Sequence, residues 1–181
     1  VDLRYFGPKD IFSFYLIGEG IIIQKITSSK IRRYFSLLNI IDLPKFIWSI
    51  FQALFKVFWF MPDVVFSKGG TASLPVVWAC HFYKIPIIIH ESDSIPGLAN
   101  QIISRYAKIV ELGFASAESY FKGQTQAIIK VVGNPIRQEL SESVVPEIAR
   151  SSFSLAQQKK TILVLGGSQG SQRINNFILK N

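Results

Sequence analysis

The sequence predicts an α/β protein: a Rossmann-like parallel sheet with helices on both faces. Three observations carry that expectation. Continuous Val/Ile runs alternate with helical stretches of about ten or more residues, the pattern of strands buried on both faces and joined by crossovers. Two of those runs lead straight into a glycine turn and then a helix: Val64-Val65-Phe66 into Gly69-Gly70, and Leu163-Val164-Leu165 into Gly166-Gly167. Hydrophobic residues make up 49% of the 181 residues and charged ones 18%, which excludes a disordered chain. A single cysteine, Cys80, excludes an internal disulfide framework and a cysteine-cluster metal site, and fits a reducing compartment.

Each element has a local reason. Residues 1–6 alternate and read as a strand, which Gly7-Pro8 turns. Asp10 is placed to N-cap a short helix that Gly18 and Gly20 stop. Residues 21–26 form a strand, and 27–33 a basic, serine-bearing loop. A long helix over 43–61 takes Pro44 in its first turn and Pro62 beyond its end. Then follow a strand over 63–66, a helix over 73–83, a strand over 85–90, a helix over 97–106, and strands over 109–112 and 127–132. Gly133-Asn134-Pro135 breaks the chain, and a short helix and a polar stretch lead to residue 160. A strand over 161–165, the turn over 166–170 and a helix over 171–180 complete the pattern. The polar stretch sets a domain boundary, with residues 1–136 as one domain and 137–181 as the linker and opening strand-turn-helix of a second. The chain starts on Val1 and stops within a helix, so the sheet is expected to be incomplete at both ends.

The glycine turns are the first candidate sites. Such a turn lets backbone approach a phosphate, and the helix N-terminus behind it favours negative charge. Ser168 adds a hydroxyl to the second turn and Thr71 to the first. The competing interpretation is a tight strand-to-helix connection without a ligand, and glycines alone do not decide between the two. Both turns follow strand carboxyl ends, where open α/β sheets bind ligands. His90, Glu91 and Asp93 end another strand. His90 reads best as a core histidine bonded to a backbone carbonyl. Glu91 and Asp93 are carboxylates able to hold sugar hydroxyls or orient a base.

The charge is +8, and 15 Phe, 6 Tyr and 3 Trp accompany it. Basic charge alone leaves anionic lipid or nucleic acid as partners. No dense Lys/Arg run or nucleic-acid motif is present, so nucleic acid ranks low. The long helix carries its polar residues Lys45, Ser49, Gln52 and Lys56 on one narrow stripe, and almost everything else is apolar, including Phe51, Phe55 and Trp59. The surplus is either buried, laid in a bilayer interface or spanning. The two lysines argue against spanning. Nearby Lys30, Arg32, Arg33 and Lys68 favour an interface with anionic lipid.

The order and spacing of several strings carry a resemblance. Phe66-Ser67-Lys68-Gly69-Gly70-Thr71, Ile85-Pro86 to His90-Glu91, Pro96-Gly97-Leu98-Ala99-Asn100, Val132-Gly133-Asn134-Pro135-Ile136-Arg137 and Leu165-Gly166-Gly167-Ser168-Gln169-Gly170 resemble the MurG family of bacterial cell-wall glycosyltransferases. The likeness is loose before Pro62 and close from there on. It implies a GT-B fold of two Rossmann-like domains, acceptor side first. It implies transfer of N-acetylglucosamine from UDP-GlcNAc to lipid I, giving lipid II, at the cytoplasmic face of the bacterial inner membrane, with no metal or other cofactor. On the donor side it points to Arg137, Gly167, Ser168, Gln169 and Asp93. On the acceptor side it points to Gly69, Gly70 and Thr71, with His90 and Glu91 beside them. Lys45, Phe51, Phe55, Lys56 and Trp59 match the region by which the family sits on the membrane. Where the family has Gln-Asn after His-Glu, this chain has Ser92-Asp93, and Asp93 accepts hydrogen bonds but does not donate them. The family's first strand and its glycine loop, with the histidine taken as base, are expected before Val1, so no catalytic residue is assigned. The rival expectations are a non-catalytic membrane module needing a separate donor-binding partner, and a related GT-B enzyme with another lipid acceptor.

Overall fold

The computed structural model describes residues 1–10, 13–27, 38–138, 141, 144–167 and 170–180. The chain divides into two compact units, Val1–Pro135 and Ile136–Asn181. The first begins with β1 (Arg4–Gly7), α1 (Ser13–Gly18) and β2 (Ile22–Lys25). There follow α2 (Leu38–Phe60), β3 (Val65–Ser67), α3 (Ser73–Phe82), β4 (Ile87–Glu91), α4 (Leu98–Ile103), β5 (Ile109–Leu112) and β6 (Ile128–Val131). A 3-10 turn, Ser104–Tyr106, extends α4, and a second, Ala115–Tyr120, links β5 to β6. The residues assigned to the basic loop, 28–33, lie outside those described, Lys30, Arg32 and Arg33 among them.

Among the described residues all strand pairing is parallel, as the Val/Ile runs predict. The strands form two sheets: β1 with β2, and four strands in the order β3-β4-β5-β6. Ile87 and Ile89 of β4 and Val110 and Leu112 of β5 are buried, and α3 packs Leu74, Val76, Val77, Ala79 and Cys80 into the same core. The register pairs His90 with Glu111 and Glu91 with Leu112, which puts both acidic-loop residues at the carboxyl end of the sheet.

The long helix starts earlier than its proline signal suggests, so Pro44 lies inside α2 and supplies no N–H there. Met61 ends it in the left-handed region (φ 42°), followed by Pro62. The face that α2 buries is small: Ser49, Ala53 and Val57, four residues apart, are essentially inaccessible. Small side chains let α2 approach its neighbours closely. Phe46 meets Trp78 of α3 edge-on at 5.7 Å. From Ser49 onward the polar stripe faces the protein, while Lys45 is exposed. Gln52 Oε1 accepts from the Thr27 N–H at 2.9 Å, and Lys56 Nζ donates to the Lys25 carbonyl at 2.7 Å, so both hold the end of β2. The aromatic residues point outward: Phe51, Phe55 and Trp59 are 60%, 65% and 71% exposed.

The second unit holds α5 (Pro146–Ser152) and α6 (Gln172–Lys180). The strand expected over 161–165 does not form: no partner strand pairs with it among the described residues, and Ile162, Leu163 and Leu165 are exposed. A β-run without a ladder leaves its N–H and C=O groups to solvent or side chains. Arg150 binds the carbonyls of Ala156 and Lys159 and thereby ties α5 to the following turn.

Candidate functional site

The first glycine turn connects β3 to α3. Gly69 and Gly70 both adopt left-handed backbone (φ 85° and 84°), a pair that glycine alone accepts readily. Gly69 has a second constraint, because a Cβ there would lie 2.5 Å from Asn100 Oδ1. Ser73 Oγ donates to the Gly70 carbonyl at 2.7 Å, and no side chain caps the first turn of α3.

The loop after β4 is built around a buried carboxylate. Glu91 is 3% exposed. Its Oε1 accepts from the Asp93 N–H at 2.9 Å; its Oε2 accepts from the Gly97 N–H at 3.0 Å and from Asn100 Nδ2 at 2.9 Å. These bonds replace the hydration that burial removes. They also fix the loop between Asp93 and Gly97 against α4. Both Glu91 oxygens are thus committed to their own loop, so Glu91 shapes the site from beneath.

His90 is also buried, and both ring nitrogens have partners. Nε2 lies 2.9 Å from the Gly133 carbonyl, and Nδ1 lies 2.9 Å from Lys68 Nζ. Lys68 Nζ donates also to Ser92 Oγ at 2.6 Å. Asn134 Nδ2 donates to the Ser92 carbonyl at 3.0 Å, and its Oδ1 packs where a Cβ on Gly113 would stand. The Gly133-Asn134 pair therefore closes onto the β4 loop from the end of β6.

Between these parts is a cavity of about 330 Å³ lined by Lys68, Gly70, Thr71, Glu91, Asp93, Gly97 and Asn100 among others. It brings together the acceptor-side residues Gly70, Thr71 and Glu91, with Gly69 and His90 directly behind. Asp93, assigned to the donor side, lines the same cavity and is exposed. Arg137 and Gly167 belong to the second unit, where Arg137 is exposed. Ser168 and Gln169 lie outside the described residues. Gly170 completes the second turn with left-handed φ 73°, and its N–H donates to the Gly167 carbonyl at 2.7 Å. Ser171 accepts weakly from the Ile174 N–H at 3.4 Å, a long N-cap contact. Of the membrane group, Lys45 is exposed beside Asp42 (3.5 Å), and Lys56 is bonded to Lys25. Trp48, Phe51, Phe55 and Phe58 line an open apolar groove of about 580 Å³.

Sequence reasoning left Lys68, Asn100 and Asn134 without roles at this site. The available signal was polar residues beside glycines within the matched strings. Their contacts cross 22, 9 and 42 positions of chain, distances that no local pattern encodes.

A parallel α/β unit with a glycine turn and a polar cavity at its strand carboxyl ends is the architecture of a Rossmann-like domain. The chain belongs to glycosyltransferase family 28, whose N-terminal domain matches residues 2–111. It is 40% identical over 178 residues to a protein of Clostridium kluyveri, and 42% identical over 182 residues to one of Clostridium botulinum. Both are named UDP-N-acetylglucosamine–N-acetylmuramyl-(pentapeptide) pyrophosphoryl-undecaprenol N-acetylglucosamine transferase. Those alignments take in 98% and 99% of this chain but 49% and 50% of the relatives, so the chain spans about half the length of the curated relatives it matches. In fold it resembles the crystal structure of Acinetobacter baumannii MurG, with a TM-score of 0.52 and 24% identity over 75% of this chain and 36% of that one.

Proposed function

We propose that this chain forms the acceptor-side part of an N-acetylglucosaminyltransferase that moves N-acetylglucosamine from UDP-GlcNAc to lipid I. The observation that carries the reading is the 40–42% identity, over nearly the whole chain, to proteins named for that transfer. The cavity chemistry supports it. Lys68 supplies positive charge beside backbone that only glycine allows, as a diphosphate requires, and Asp93 offers acceptors for sugar hydroxyls. On the donor side, Arg137, Gly167, Ser168 and Gln169 are the groups we assign to UDP. The reaction is an inverting displacement: a base takes the acceptor hydroxyl proton, the oxygen attacks the anomeric carbon, and UDP leaves with the bonding pair. The test is UDP release by the whole protein with a lipid I analogue. Acceptor-dependent release is expected; its absence sinks the reading.

The second part of the reading is peripheral attachment to an anionic membrane, at the cytoplasmic face of the inner membrane. Among the described residues no helix is long and apolar enough to cross a bilayer. The outward rings of α2 (Trp48, Phe51, Phe55, Phe58 and Trp59) expose on the order of 600 Å² at roughly 200 Å² per aromatic side chain. That is at the upper end for a patch without a partner. Sedimentation with anionic vesicles at low salt tests attachment. Binding that weakens in about 0.5 M salt is expected, since salt screens surface charge. No binding at low salt overturns it.

A further inference from the structure

The contact between Lys68 and His90 has a direction. The Gly133 carbonyl can only accept, so the His90 nitrogen 2.9 Å from it, Nε2, carries the proton. In the neutral ring Nδ1 is then a lone pair, and the Lys68 ammonium donates to it. A proton on Nδ1 would instead face the ammonium. The ring is 2% exposed and wedged between β4 and the end of β6, so it cannot turn away. The lysine, by contrast, is exposed and sits on a flexible four-carbon stem. His90 Nδ1 and Ser92 Oγ use two of its three donors. Asn100 fixes the turn from below: it is 4% exposed, its Nδ2 is spent on Glu91, and its Oδ1 packs where a Cβ on Gly69 would stand.

We propose that His90 is a positioning residue that holds the Lys68 ammonium at the Gly69–Gly70 turn as the cation for an acceptor's diphosphate. The inference rests on the acceptor-side reading above and adds the device that aims the charge. Gly133 enters it too: by fixing the proton on Nε2, the carbonyl at the end of β6 makes Nδ1 an acceptor for a lysine that follows β3.

The chain has two histidines, His81 and His90, so nitrogen-15 imidazole spectra of the full chain with and without H90Q assign the ring directly. The expected ring is protonated on Nε2, and its Nδ1 resonance moves in K68M. Binding is read by titrating farnesyl diphosphate and, separately, UDP. K68M and H90F are expected to weaken farnesyl diphosphate at least tenfold and to change UDP less than twofold. H90Q keeps one donor and one acceptor and is expected to recover most of the loss. Unchanged farnesyl diphosphate affinity in K68M, a proton on Nδ1, no farnesyl diphosphate binding by the unmodified chain, or a loss confined to UDP each overturns the proposal. If H90F fails to fold, K68M and the tautomer decide it. Failure of acceptor-dependent UDP release bears on the proposed transfer and leaves these titrations to stand or fall alone.

Discussion

Helices α2 and α3 are both rich in apolar residues, and they use them in opposite ways. In ten residues α3 buries Leu74, Pro75, Val76, Val77, Ala79 and Cys80. From residue 42 on, α2 buries Ser49, Ala53 and Val57 and turns Trp48, Phe51, Phe55, Phe58 and Trp59 to solvent. Close packing explains the division. The inward face of α2 carries small groups because a neighbouring helix must fit against it, and its polar groups serve the end of β2. Hydrophobic content thus measures how much apolar surface a helix has, and the size and bonding of the other face decide where that surface goes.

The sharpest measure of the difference is the thiol in α3. Cys80 is 1% exposed, and burial pushes its pKa from 9.0 up to about 12. The thiolate is the reactive form, so below pH 9 labelling of the native chain should run on the order of a thousandfold slower than in denaturant, at one decade per pKa unit. The sign for stability follows. The unfolded thiol ionises near 9 and the folded one near 12, so this contribution is intact below pH 9 and is lost as pH rises from 9 to about 12. Native labelling at the denatured rate would mean that α3 is not packed as described.

Next in size is truncation of the α3 core. Leu74→Ala should cost about 2–5 kcal/mol in denaturant unfolding, from lost burial plus the cavity left behind. The matching change in α2, Phe55→Ala, removes a ring that is 65% exposed and should leave stability within about 0.5 kcal/mol. Its effect belongs on vesicles, where affinity should fall roughly tenfold, or about 1.4 kcal/mol. A large stability loss with unchanged vesicle binding would reverse the roles assigned to the two helices.

The parallel strands of the first unit, the β3–α3 glycine turn and α3 were legible because each rests on short-range pattern. Val/Ile runs, glycines with positive φ and a helix after the turn are all written within about ten residues. The direction of α2 was not. A stripe at spacings 0, 4, 7 and 11 says that Lys45, Ser49, Gln52 and Lys56 share a face, but a stripe is the same whether it meets water or the end of β2. The run over 161–165 has strand composition and lacks a ladder, because pairing is a property of two segments. At the site, the carboxyl-edge placement of His90 and Glu91 followed from their strand. Their chemistry depended on Lys68, Gly133 and Asn100, contributed by other elements.

The smallest effect tests the polar stripe itself. Lys45 and Lys56 occupy the same stripe of the same helix, yet among the described residues Lys56 alone of the two reaches backbone, donating to the Lys25 carbonyl at 2.7 Å. Lys45 instead meets Asp42 at 3.5 Å, with its side chain 52% exposed. An exposed pair of that kind contributes little. A charged donor on a backbone carbonyl contributes more, though partial exposure keeps it near the lower end, at about 1 kcal/mol. Lys56→Met keeps most of the stem's packing and removes the donor, so it should destabilise by about 1 kcal/mol, while Lys45→Met should stay within about 0.5 kcal/mol. Paired denaturation curves separate them. Equal losses, or a greater loss at Lys45, would mean that the stripe does not hold β2, and the outward aromatic face of α2 would then need another explanation.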